Sequence, residues 1–157
     1  MIKTVLHIDA PRERVFAILA DYPRYKEWFP GCEHSKVVSD DGSCADAEFV
    51  MNLFGRIRLG MRFDARPTQE LRFHMIRGRQ PKAYSGSYLL RDSADGKGTI
   101  LMAEMRIELD SFVPAFIVRH YARKSMDDTG RSLRRYLKRT LQPAQPDNSG
   151  DTHRIAG

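Results

Sequence analysis

The sequence predicts an α+β fold, a curved antiparallel sheet of about seven strands wrapped around one long C-terminal helix, in the order β-α-α-β6-α. Three observations predict it. From residue 33 the apolar residues recur with a period of two, in six runs parted by turn-forming residues at intervals of about ten. One short β-rich run and two short helical segments precede those runs. From Pro114 to Leu141 a helical period continues for about 28 residues with no internal proline.

The first run is Ile2 to Ile8. Asp9 is placed to N-cap the next element, and Pro11 suits a first helical turn. Val15, Phe16, Leu19 and Ala20 then repeat at helical spacing, which predicts a helix over 11–20. Tyr22-Pro23 breaks it, Arg24 to Phe29 forms a second short helix, and Pro30-Gly31 ends that one. The strands fall at 33–39, 44–54, 57–66, 70–79, 83–92 and 98–110. The turns between them are Asp40 to Ser43, Gly55, Pro67-Thr68, Gln80-Pro81 and Asp95 to Gly98. Ile57, Leu59, Met61, Phe63 and Ala65 share one face, and Arg56, Arg58, Arg62, Asp64 and Arg66 the other. Such alternation puts one face on a core and one in water.

The 157 residues fit one domain over 1–141 with a polar, disordered tail at 142–157. Composition is ordinary, at 41% hydrophobic and 29% charged, which excludes collagen-like, coiled-coil and wholly disordered chains. No apolar stretch approaches the roughly 18 residues of a membrane span, and no signal peptide is expected. Cys32 and Cys44 are expected to be reduced structural thiols, because hairpin pairing sets Cys44 near Val38 or Ser39 rather than Cys32. That fits a cytoplasmic protein, with a position peripheral to a membrane as a variant. The five histidines show no metal-ligand spacing, so neither metal nor cofactor is expected.

The inward residues define a candidate lining. Strands supply Phe49, Met51, Leu53, Met61, Phe63, Phe73, Tyr84, Tyr88 and Met105. The helix stripe, spaced three and four apart, runs through Val118, Tyr121 or Ala122, Ser125, Asp128 or Thr129, Ser132 and Tyr136. Its middle is small and polar where an apolar sheet would meet Leu or Ile. Small residues opposite large ones leave space, which predicts an apolar cavity with a few hydrogen-bonding groups. The alternative is an ordinary core in which Ser125 and Thr129 bond back to their own helix carbonyls. Tyr84 and Tyr88 lie on one strand face with Gly86 between them, leaving room for a guest.

Two stretches resemble a known family. Val5-Leu6-His7-Ile8-Asp9-Ala10-Pro11 followed by Val15-Phe16 is similar to the first strand and helix of the START-like superfamily of helix-grip proteins. Asp21-Tyr22-Pro23-Arg24-Tyr25 and Trp28-Phe29-Pro30-Gly31-Cys32 resemble its polyketide cyclase/dehydrase branch. That branch includes coenzyme Q-binding proteins and a ribosome-association toxin group. The resemblance covers about 1–140 in element order and implies a hydrophobic ligand cavity. The ligand it implies is a quinone, a lipid or a polyketide-like compound, held by the residues above with Tyr121, Ser125 and Thr129.

Enzymatic turnover needs a group that moves protons. The candidates are Tyr84 and Asp128, in a cyclase or dehydratase reading. Asp128 has a plainer role as surface partner of Arg131 or Lys124.

The net charge of +6 is concentrated in one place. The segment from Pro114 to Leu141 carries Arg119, Arg123, Lys124, Arg131, Arg134, Arg135, Lys138 and Arg139 against Asp127 and Asp128, and the rest of the chain is neutral. Like charges at i,i+4 repel by a few tenths of a kcal/mol, so a face chosen for solubility would intersperse acids. The expected partner is therefore anionic, a membrane surface or the ribosome, with DNA not expected. Three readings result: a carrier of a hydrophobic small molecule, a polyketide-type cyclase or dehydratase, and a ribosome- or protein-binding factor acting through the basic helix.

Overall fold

The computed structural model describes residues 1–52, 55–110 and 112–141. Leu53 and the tail 142–157 lie outside the described residues. The elements are β1 (Ile2–Ile8), α1 (Arg12–Leu19), a 3₁₀ turn (Tyr22–Arg24), α2 (Tyr25–Trp28), β2 (Cys32–Asp40), β3 (Cys44–Asn52), β4 (Arg56–Arg66), β5 (Glu70–Arg77), β6 (Ala83–Asp92), β7 (Thr99–Glu108) and α3 (Ala115–Leu141). All seven strands form one antiparallel sheet in the order β1-β7-β6-β5-β4-β3-β2. This is the helix-grip topology.

The boundaries follow from local chemistry. β5 stops before Gly78, whose φ of 143° leaves the extended region. Asp9 does not cap α1. Pro11 occupies the N-cap position with extended backbone, and its carbonyl accepts from Arg14 N at 3.0 Å and Val15 N at 3.1 Å. Asp9 lies two residues before that N-cap, too early to reach those donors. Tyr22-Pro23 opens a 3₁₀ turn rather than breaking structure, because proline tolerates a first turn that needs no N–H. Pro30 forces Phe29 into extended backbone and ends α2. The β2–β3 hairpin closes two to three residues tighter than the expected pairing of Cys44 with Val38 or Ser39. Asp40 pairs with Ala45, and Asp41 N donates to Cys44 O at 3.0 Å, so Cys44 faces Asp41. Both cysteines are free.

The concave face carries the core. Ala47, Phe49, Met51, Leu59, Met61, Phe63, Leu71, Phe73, Leu90, Leu101 and Met105 are all buried there, as period-two alternation requires. β2 is an edge strand, and its pairing with β3 shifts register at two places, between Cys32 and His34 and between Val37 and Ser39. α3 crosses the concave face, and its buried stripe runs through Ala122, Met126, Gly130, Leu133 and Leu137. This stripe is rotated by about one residue from the expected one, so Ser125, Thr129, Ser132 and Tyr136 form its half-buried flank.

Those flank residues tie α3 down. Tyr136 donates to Glu27 Oε2 at 2.7 Å, and Ser132 donates to the Trp28 carbonyl. Both bonds fix α3 on α2. Gly130 is a close-approach point: a Cβ there would stand 2.9 Å from Leu6 Cδ1. Its small size admits the Leu6 side chain of β1.

Candidate functional site

A cavity lies between the sheet and α3, enclosing about 80 Å³. Among the described residues it is lined by Tyr25, Phe29, Phe49, Met51, Leu59, Met61, Phe63, Phe73, Pro81, Tyr84, Tyr88, Met105, Ile107, Tyr121 and Ser125. A second space of about 30 Å³ adjoins it and shares Phe29, Phe73, Tyr84, Tyr88, Met105 and Ser125.

The placement of each element explains the lining. Strands β3, β4 and β5 send Phe49, Met51, Leu59, Met61, Phe63 and Phe73 inward from consecutive cross-strand rows: Phe49 pairs with Leu59, Met51 with Ile57, and Phe63 with Phe73. β6 supplies Tyr84 and Tyr88, and β7 supplies Met105 and Ile107. α2 closes one end, with Tyr25 and Phe29 stacked at 5.5 Å, as residues four apart on one face allow. The first turns of α3 supply Tyr121 and Ser125.

Ten of the twelve residues expected to touch a ligand line this cavity: Phe49, Met51, Met61, Phe63, Phe73, Tyr84, Tyr88, Met105, Tyr121 and Ser125. Leu53 is outside the described residues. Thr129 does not line it. The Thr129 hydroxyl donates to Ser125 O at 2.7 Å, which is the back-bonded alternative, and the residue borders only the smaller space. Tyr25, Phe29 and Pro81 were not expected. Tyr25 and Phe29 begin and cap a helix of a single turn, and Pro81 lies in the β5–β6 connection, where no periodicity shows which way a side chain points.

Gly86 does not leave room for a guest. Phe73 pairs directly with it across β5 and β6, and a Cβ on Gly86 would stand 2.5 Å from Phe73 Cζ and 2.3 Å from Glu104 O. The Phe73 ring fills the space, with its centroid 5.5 Å from those of both Tyr84 and Tyr88. The two tyrosines therefore flank a ring, not a gap.

Chemically the cavity is an apolar box with phenol groups. No charged side chain, histidine or cysteine lines it among the described residues. Tyr25 donates to Leu19 O at 2.5 Å and is fixed. Neither the Tyr84 nor the Tyr88 hydroxyl is held by a hydrogen bond among the described residues. Burial pushes the Tyr88 phenol up to about 12. The Tyr84 phenol is raised further, first by burial and then by its neighbours Tyr88 and Tyr121. Both groups are neutral donors throughout the physiological range, and neither is a ready proton acceptor.

Asp128 is corrected outright as a catalytic candidate. Its carboxylate takes Arg131 Nη2 at 2.7 Å on the surface, and it does not reach the cavity. The spacing i,i+3 on an exposed helix face explains the pairing. Arg119, Arg123, Arg135 and Lys138 are exposed on α3, whereas Arg134 donates to His7 O at 2.9 Å and so is partly committed to holding β1.

An α+β helix-grip domain with an apolar cavity between sheet and helix is a fold shared by ligand carriers and cyclases. The chain matches the family model described as polyketide cyclase / dehydrase and lipid transport over residues 8–134, and it belongs to that family. Solved structures share the fold at low identity. A START superfamily protein from Mycobacterium smegmatis is 14% identical with a TM-score of 0.80, over 88% of this chain and 97% of that one. A protein from Thermus thermophilus, TTHA0849, is 20% identical with a TM-score of 0.76, over 89% and 98%. The Zhui aromatase/cyclase from Streptomyces sp. R1128 is 13% identical with a TM-score of 0.76, over 91% and 96%. No curated protein sequence matches the chain.

Proposed function

We propose that this chain binds and carries a hydrophobic small molecule in the cavity between the sheet and α3. The observation that carries the proposal is the lining itself: aromatic, aliphatic and methionine side chains with a few neutral hydroxyls and no ionisable group that titrates near neutrality. Such a site rewards apolar area and one or two oriented hydrogen bonds. A guest with a quinone-like or keto oxygen would accept from Tyr84 or Tyr88.

The cavity is smaller than the roughly 150 Å³ engineered cavity that accepts benzene. A larger guest therefore has to displace side chains. Met51, Met61 and Met105 are the groups suited to this, since unbranched thioether chains change rotamer at low cost.

The test is native mass spectrometry of protein purified from its host, followed by titration of the identified guest. An apolar adduct is expected, and a clean unliganded mass together with no uptake of quinones or fatty acids would reject the carrier. Tyr84→Phe and Tyr88→Phe should each weaken a carbonyl-bearing guest by about fivefold, because one hydrogen bond is worth roughly 1 kcal/mol. Isothermal titration would read the change.

The second reading is a cyclase or dehydratase, and the convergence of Tyr84, Tyr88 and Tyr121 on one cavity favours it. A phenol can hold a developing enolate by donation. Here turnover of an aromatic precursor would fall by orders of magnitude in Tyr84→Phe, well beyond the change expected from binding alone. The cavity offers the donors but no matched base, so carriage is the better-supported reading.

A further inference from the structure

We propose that the start of α3 is a docking surface for anionic lipid bilayers, with Phe112, Phe116 and Ile117 entering the interface and Arg119, Arg123 and Lys124 meeting the headgroups. The inference rests on the carrier reading for its purpose but not for its geometry.

Large exposed apolar side chains are scattered singly over most of the molecule, as at Val5, Val38 and Ile76. Scattered ones need no explanation. Phe112, Phe116 and Ile117 are different, because three of them fall within six residues at 81%, 72% and 46% exposure. Leaving two phenyl rings in water forgoes the apolar burial that would favour covering them. The segment is also held in place. Val113 N donates to Asp110 O at 3.0 Å, Gln80 donates to Asp110 at 2.8 Å, and Lys82 pairs with Asp110 at 3.3 Å.

Charge identifies the occupant. No acidic residue lies between Asp110 and Asp127, while Arg119, Arg123 and Lys124 do. All three cations are exposed, and among the described residues none has an acidic partner. Phe116, His120 and Arg123 follow one helix face at i,i+4,i+7, so rings and cations are presented together. Apolar anchors beside a cationic collar match the two layers of an anionic membrane interface. The same turns carry Tyr121 into the cavity wall, one turn beyond Phe116 and Ile117. A guest passing Tyr121 would therefore move between the cavity and the surface on which the protein sits.

The experiment is sedimentation of the full chain with vesicles of phosphatidylcholine alone or of phosphatidylcholine with phosphatidylglycerol. The wild type is expected to partition onto the mixed vesicles and to come off in salt. Phe112→Ser/Phe116→Ser should lose at least tenfold in partition. Arg119→Glu/Arg123→Glu/Lys124→Glu should lose on the order of 100-fold, since each cation near such a surface contributes about 1 kcal/mol. All the substituted side chains are exposed, and unchanged thermal melts would show that the variants are folded. Absence of wild-type partition, wild-type partition by the phenylalanine pair variant, or sedimentation with ribosomes in place of vesicles would each overturn the proposal. Native mass spectra of the same samples separate the two readings: a guest held without vesicle binding overturns docking alone, and vesicle binding without a guest overturns carriage alone.

Discussion

Ser125→Leu is expected to abolish guest binding while leaving the protein as stable as before or more so. Ser125 is the one residue of α3's middle turns that borders both internal spaces. Leucine puts two more heavy atoms into an apolar void of about 80 Å³ and removes a hydroxyl from it. Filling an apolar cavity recovers contacts that its lining lacks, and such changes commonly add about 1 kcal/mol. Leucine also has better helix propensity than serine. The Ser125 carbonyl, which accepts from Thr129, is unchanged by the substitution. A gain of roughly 3 °C in the melting temperature is expected, together with a loss of at least thirtyfold in affinity for any guest found by native mass spectrometry. The two readouts moving in opposite directions is the informative result. Loss of both would mean that the helix cannot accept the larger group, and unchanged affinity would mean that the guest sits elsewhere.

Gly86→Ala is expected to produce the largest loss of stability of any single methyl addition among the sheet positions described. The added carbon would stand 2.3 Å from Glu104 O, a backbone atom on the neighbouring strand. It would also stand 2.5 Å from Phe73 Cζ. The ring can swing away, but the carbonyl is held in the β6–β7 ladder, where Gly86 pairs with Met105. Overpacking of this kind costs about 3 kcal/mol. For a chain of this size that lowers the melting temperature by roughly 10 °C, which calorimetry would read. Adding Phe73→Leu to Gly86→Ala should recover only part of the loss, because it relieves the ring and leaves the carbonyl. Full recovery would show that the strand backbone yields more easily than the pairing implies.

The sheet was legible because strand geometry leaves little choice. Once Ile57, Leu59, Met61, Phe63 and Ala65 are assigned to one face, a period of two places all of them inward, and all are buried or half-buried. The helix was harder. Its apolar stripe is narrow and interrupted, and Ser125, Ser132 and Tyr136 at its flank look as inward-facing as Met126, Leu133 and Leu137 at its centre. What separates them is what each meets. Ser132 finds the Trp28 carbonyl and Tyr136 finds Glu27, partners more than a hundred positions away in the chain. No local pattern encodes such a meeting. The same limit hid Tyr25, Phe29 and Pro81: the sequence reads the first two as part of one short helix with no apolar period to set its facing and the third as part of a turn, and none of them as a cavity wall. Gly86 failed in another way. A small residue between two tyrosines implied space, but the residue paired with it across the sheet was the large Phe73.

The chain has one tryptophan, and the position of Trp28 has an optical consequence. Its indole is 4% exposed, borders the smaller space, and has its Nε1–H unpaired among the described residues. Its ring lies 5.0 Å from Tyr25 and 5.5 Å from Phe29, both walls of the main cavity. Emission from this one buried indole is expected to lie blue of that from an indole in water, uncontaminated by any second tryptophan. An arriving quinone-like molecule would quench it across a single layer of side chains. The protein thus contains its own occupancy gauge, readable in solution without a label.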